Sequence, residues 1–88
     1  MSTYTVRFRD EGEAEKVLRR LDAKQRRRIQ NAILALASDP RPHGCTKLAA
    51  RHNQWRIREG DYRIIYTIEE QVLVVVVLRI GHRSDVYG

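Results

Sequence analysis

The residues best suited to chemistry in this 88-residue chain are arginines at alternate positions of two neighbouring strand-like segments. Trp55-Arg56-Ile57-Arg58 and Tyr62-Arg63-Ile64-Ile65-Tyr66 flank Gly60-Asp61. That pair suits a two-residue hairpin, because glycine accepts the positive φ of a type II′ turn. With this turn Glu59 pairs with Tyr62, Arg58 with Arg63, Ile57 with Ile64 and Trp55 with Tyr66. Strand side chains alternate between faces. Trp55, Ile57, Tyr62, Ile64 and Tyr66 therefore share one face, and Arg56, Arg58 and Arg63 share the other. A three-residue loop including Glu59 would shift the partners of Arg58 but keep Arg56 and Arg58 together. Like charges directly opposite on a sheet repel. An anion between Arg58 and Arg63 offsets that cost, since guanidinium groups hold phosphate bidentately. Two readings stand at this point: a phosphate site, or solvated arginines on an open sheet face.

The surrounding charge favours a polyanion. The chain carries 17 Lys and Arg against 11 Asp and Glu, a formal net charge of +6, which attracts nucleic acid through counterion release. Between Pro40 and Arg58 there is no acidic residue, while Arg41, Lys47, Arg51, Arg56 and Arg58 are basic, so Lys47 and Arg51 join the RNA-binding candidates. The run Lys24, Arg26, Arg27, Arg28 reads more simply as the wet face of a helix. The terminal segment Gly81-His82-Arg83-Ser84-Asp85-Val86-Tyr87 holds types suited to RNA chemistry. Arg83 can hold a phosphate, His82 can exchange protons near neutral pH, and Tyr87 can stack on a base. The same segment could equally be a chain end with one packed tyrosine. His43 and His52 read as surface residues. A single cysteine, Cys45, excludes an internal disulfide and gives no metal cluster, so neither a metal nor a cofactor is expected. The N-terminus has no apolar signal core, and Val72–Leu78 is too short to span a bilayer; the expected compartment is the cytoplasm.

The elements that must position these residues follow from periodicity. Tyr4, Val6 and Phe8 alternate with polar residues as a half-buried strand. Asp10 with Glu13, and Asp22 with Gln25, have the spacing of helix N-caps. Behind them Ala14, Val17, Leu18 and Leu21, then Ile29, Ala32, Ile33 and Leu36, form two apolar stripes, and Pro40 and Pro42 end the second helix. Segments 55–58, 62–68 and 72–80 read as strands. The unbroken run Val72-Leu-Val-Val-Val-Val-Leu78 suggests a central strand covered on both faces, and Gly81 offers a place for the chain to turn. The expected fold is α+β, one domain over residues 1–88. It comprises an N-terminal strand, a two-helix hairpin and three antiparallel strands in one four-stranded sheet, with the helices on one face.

WRIR, GDYRIIY, the valine-rich strand and IGHRSDVY, in that order, resemble the RelE side of the RelE/ParE toxin superfamily. The N-terminal strand and helix pair fit its layout, so the resemblance covers essentially the whole chain. It implies a ribosome-dependent endoribonuclease that cleaves messenger RNA in the decoding site, kept inactive by a cognate RelB-like antitoxin. Arg63 in DYRIIY matches the family's strand arginine, Arg83 in GHR the arginine after the last strand, and Tyr87 in DVY the terminal tyrosine. Arg56 and Arg58 stand where the best-known members carry a lysine pair. That is a departure with chemical content: lysine can lose its proton, whereas arginine stays charged. The reaction implied is attack of the ribose 2′-OH on the adjacent phosphate, with Arg63 and Arg58 stabilising charge, Tyr87 orienting a base, and Arg83 or His82 near the leaving oxygen. That route needs no metal. A ParE-like toxin acting on DNA gyrase and a non-catalytic RNA-binding module are the alternatives.

Overall fold

The computed structural model describes residues 3–84, so Tyr87 lies outside the described residues. The element order is β1 (Thr5–Phe8), α1 (Glu11–Arg19), α2 (Ala23–Ala35), β2 (Thr46–Lys47), β3 (Gln54–Glu59), β4 (Tyr62–Glu69) and β5 (Val74–His82). Both expected N-caps form: Asp10 accepts the Glu13 N–H at 3.0 Å, and Asp22 accepts the Gln25 N–H at 2.8 Å. These carboxylates satisfy donors that the first helical turn leaves without a partner. The hairpin between the helices is closed by Arg26, whose Nε donates to the Leu18 carbonyl at 3.0 Å and Nη2 to Leu21 at 2.8 Å. Arg26 thus ties the C-terminal end of α1 to α2, where the sequence suggested only a solvated face.

The sheet runs β1-β5-β4-β3-β2, with β1 parallel to β5 and the other pairs antiparallel. It has five strands rather than four. The added strand, the two residues Thr46–Lys47, is too short to show a pattern in sequence. Helix α2 ends at Ala35 with Leu36 as its C-cap, before either proline. There Tyr4 donates its N–H to the Ala37 carbonyl at 2.7 Å, anchoring the entry to β1. No helix among the described residues is long and apolar enough to cross a membrane.

The core lies between the helices and one face of the sheet. Ile29, Ile33 and Leu36 from the helical side meet Ile57, Ile64, Tyr66, Ile68, Val75, Val77 and Ile80 from the strands. The valine run departs from expectation. Val72 and Leu73 are exposed in the β4–β5 turn, with Leu73 at φ +55°, and the strand begins at Val74. Strand β5 is interior but covered by helices on one face only; Val74 and Val76 are half-buried on the other. Nor does the chain turn at Gly81, because β5 continues through it to His82.

One irregularity reorders the end of β5. Tyr66 pairs with Val77, but Ile65 pairs with Arg79, so Leu78 is an extra residue in a β-bulge. Before it Val75 and Val77 face the helices; after it Ile80 and His82 do. Were the same residues to alternate regularly, with no bulge at Leu78, Arg79 would enter the core and Ile80 would leave it.

Tyr66 is fully buried, and its hydroxyl donates to the Pro40 carbonyl at 2.7 Å. Burial pushes its phenol well above the ordinary value. Tyr66→Phe leaves that buried carbonyl without its donor, and unfolding in urea is expected to show a loss of about 1–3 kcal/mol. The raised phenol stabilises the fold below the unfolded value of about 10 and ceases to do so as pH climbs beyond it. Wild-type stability is therefore expected to fall more steeply above about pH 10 than that of Tyr66→Phe.

Candidate nucleic-acid interface

Gly60 takes φ +62° and Asp61 does not take a positive φ, so the β3–β4 connection is a two-residue turn with glycine first. The register that follows sets Arg58 directly opposite Arg63, Glu59 opposite Tyr62, Ile57 opposite Ile64 and Trp55 opposite Tyr66. From the helix side, Gln25 Nε2 donates to the Glu59 carbonyl at 3.5 Å and supports the turn.

The other face of the sheet gathers arginines from three strands. Arg58 pairs with Arg63, and Arg63 with Gly81 on its other side. In the next row Thr46, Arg56, Ile65 and Arg79 follow one another across β2, β3, β4 and β5. Arg58 and Arg79 are exposed, and Arg56 and Arg63 are half-buried. Ile65 is 5% exposed yet lies outside the core cluster. Its neighbours in the row are Arg56 and Arg79, whose aliphatic stems can cover it while their charged heads reach water. Gly81 adds no side chain beside Arg63. One step further on, the Arg83 N–H donates to the Asp61 carbonyl at 2.8 Å. That bond prolongs the β4–β5 ladder, and alternation from Gly81 brings the exposed Arg83 to the same face.

Of the residues singled out in sequence, the structure therefore brings Arg56, Arg58, Arg63 and Arg83 to one surface. It does not bring His82 there. The bulge turns His82 to the helix side, where its ring meets Tyr62 edge-on at 5.6 Å. There it lines a cleft of about 300 Å³ together with Asp10, Glu13 and Arg20. Its Nδ1 lies 3.0 Å from Ser84 Oγ. Lys47 is opposite Trp55 and also on the helix side, its Nζ 5.7 Å from the indole centroid. Arg51 stands in the β2–β3 connection, away from the arginine rows. Arg79 is the member that sequence reasoning missed as part of this surface: regular alternation gives no sign of the bulge that turns it outward. Among the described residues no group of three or more His, Cys, Asp or Glu side chains gathers where a metal could sit.

A family model for the ParE toxin of type II toxin–antitoxin systems, parDE, matches residues 4–87. The fold is similar to that in the RelE–RelB complex of Pyrococcus horikoshii, with a TM-score of 0.80, 27% identity, and coverage of 94% of this chain and 98% of that one. It is also similar to the toxin–antitoxin complex RelBE2 of Mycobacterium tuberculosis, with a TM-score of 0.76, 30% identity and coverage of 97% of each chain. A local match to the toxin RelG of Mycobacterium tuberculosis is 47% identical over 30 residues, which is 34% of either protein.

The Arg58–Arg63 pairing has a measurable consequence. Removing one of two like charges directly opposite on a sheet relieves about 0.2–1 kcal/mol. Arg58→Thr is expected to melt at or above the wild-type temperature in phosphate-free buffer. Inorganic phosphate at constant ionic strength is expected to raise the melting temperature of the wild type more than that of Arg58→Thr, because an anion bound only by the native state stabilises it.

Proposed function

The chain belongs to the RelE/ParE superfamily of toxins from type II toxin–antitoxin systems, and from that premise we propose that it is an endoribonuclease. In this reading it cuts messenger RNA in the ribosomal decoding site and is held inactive by a cognate RelB-like antitoxin. The observation that carries the reading is the meeting of Arg56, Arg58, Arg63 and Arg83 on the sheet face that no helix covers. The two solved relatives described above are toxin–antitoxin complexes, which supports an antitoxin partner.

The chemistry that suits this surface is transfer within the RNA itself. The 2′-oxygen bonds to the adjacent phosphorus and the bond to the next nucleotide's 5′-oxygen breaks. A 2′,3′-cyclic phosphate and a free 5′-hydroxyl result, with one proton leaving the attacking oxygen and one reaching the leaving oxygen. Negative charge builds on the phosphorane between these events. Arg58 and Arg63, fixed by strand register, offer guanidinium donors to it, and a well-placed donor of this kind contributes about 2.7–4 kcal/mol. Arg83 is set to engage the phosphate on the leaving side, and Tyr87 is assigned the stacking of a base. Arginine keeps its proton at neutral pH, so these groups act by alignment and electrostatics rather than as general bases. His82 receives no part in this reading, since its ring lies on the opposite side of the sheet.

The ParE description of the matching family model favours a second reading, inhibition of DNA gyrase by binding. Incubation with translating ribosomes, followed by mapping of new messenger RNA ends, separates the two. Codon-phased cuts are expected, and blocked gyrase supercoiling without cuts would establish the second. Neither effect would leave a non-catalytic RNA-binding module. Arg63→Ala is expected to lower cleavage about 10²–10³-fold while keeping the wild-type circular dichroism. Expression of the chain alone is expected to arrest growth through loss of translation, and co-expression of the antitoxin to restore it.

A further inference from the structure

Lys47 and Arg51 do not join the arginine face, and the place they occupy is a second basic surface. It lies around the β2 edge, where the sheet has no further strand among the described residues. Arg41 and His43 approach it from the α2–β2 connection, and Arg51 and His52 from the β2–β3 connection; all four are exposed, as is Lys47. The second connection is anchored. Leu48 donates its N–H to the Gln54 carbonyl at 2.8 Å, Arg51 to Leu48 at 3.2 Å, and the Asn53 side chain to the Ile68 carbonyl at 3.0 Å. Arg51 is therefore presented on a tied-down turn. From Pro40 to Arg58 the chain carries no carboxylate; Arg41 reaches one from outside the stretch, in an ion pair with Glu70 of the β4–β5 turn.

The single aromatic residue at this edge decides what kind of polyanion fits. Proteins that take up single-stranded RNA without reading its sequence offer exposed rings on which bases stack. Trp55 offers none. It is half-buried, with Arg41 Cζ 4.9 Å and Lys47 Nζ 5.7 Å from its ring centroid. Its Nε1 is buried with no acceptor among the described residues. The indole instead holds the two cations in place by cation–π attraction. A surface with fixed cations and no stacking platform recognises phosphates, and paired RNA presents phosphates with its bases already stacked.

We propose that the β2 edge, through Lys47 and Arg51 with Arg41 beside them, binds the backbone of double-stranded RNA as a site separate from the arginine face. It holds the protein on a structured RNA while the arginine face meets a single strand. Binding here is insensitive to sequence and strongly dependent on salt.

The test is fluorescence anisotropy of a 20-base-pair RNA duplex and of an unstructured single strand, each titrated with the full chain over a range of salt. Lys47→Gln/Arg51→Gln is expected to weaken duplex binding at least tenfold and lower the salt slope by about 1.5–2, as loss of two phosphate contacts requires. Single-strand affinity should be unchanged. Arg58→Gln/Arg63→Gln should do the reverse. Arg51→Glu alone touches no packed side chain, so it gives the same duplex loss if Lys47 proves necessary for folding. Unchanged duplex affinity in both edge variants overturns the proposal, and so does equal loss of duplex and single strand, which would make the edge part of one track. An edge that affects only capture of an acidic antitoxin overturns it as well. If the wild type cuts no RNA on ribosomes yet the edge variants lose the duplex, the enzymatic reading fails and this site stands.

Discussion

Arg58 faces Arg63 because the residues beside them cannot move. Ile57, Ile64, Tyr66 and Ile68 of the β3–β4 hairpin are all buried against the helices, and each contributes about 1.5–3 kcal/mol by leaving water. A slip of one residue would turn all of them to solvent and drive the arginines into the core. The repulsion between two guanidinium groups across the sheet, at most about 1 kcal/mol, is small beside that. The helical hairpin thus clamps the register from behind, and the register keeps like charges together on the free face. Packing behind the sheet fixes where these two guanidinium groups stand.

The cations of this chain divide by what surrounds them. Arg26 belongs to the fold, since its guanidinium satisfies two carbonyls at the end of α1. Arg41 is partly in the same class through Glu70. Arg56, Arg58, Arg63, Arg79 and Arg83 share the open sheet face, while Lys47 and Arg51 stand around its edge. Charge density alone does not separate these groups. The run from Lys24 to Arg28 is as basic as any in the chain, yet Arg26, its one half-buried cation, works as a structural clamp.

Much of this was legible in sequence where a local rule had no competitor. Capping spacing located both helix starts, and Gly60-Asp61 with alternating apolar residues gave the hairpin register, hence the face of Arg56, Arg58 and Arg63. Three features were hidden. A two-residue strand has no periodicity to read. The valine run is apolar at every position, so it cannot report which face is covered or where the strand begins. The bulge at Leu78 replaces alternation with a skip inside a run where every residue is apolar, and so His82 was placed at the RNA site and Arg79 was given no place in it.

That skip gives the end of β5 one residue more than its ladder with β4 uses. Swapping one aliphatic residue for another at Leu78 alters packing slightly. Deleting it leaves every face downstream as it is, because Val77 and Arg79 then sit in plain alternation opposite the adjacent residues Tyr66 and Ile65, with Arg79 outward and Ile80 inward. A chain of this fold with no residue between the counterparts of Val77 and Arg79 therefore keeps the same two faces without a bulge. Alternation counted through Leu78 misplaces Arg79, whereas alternation counted around it sets that arginine on the surface with Arg56 and Arg63.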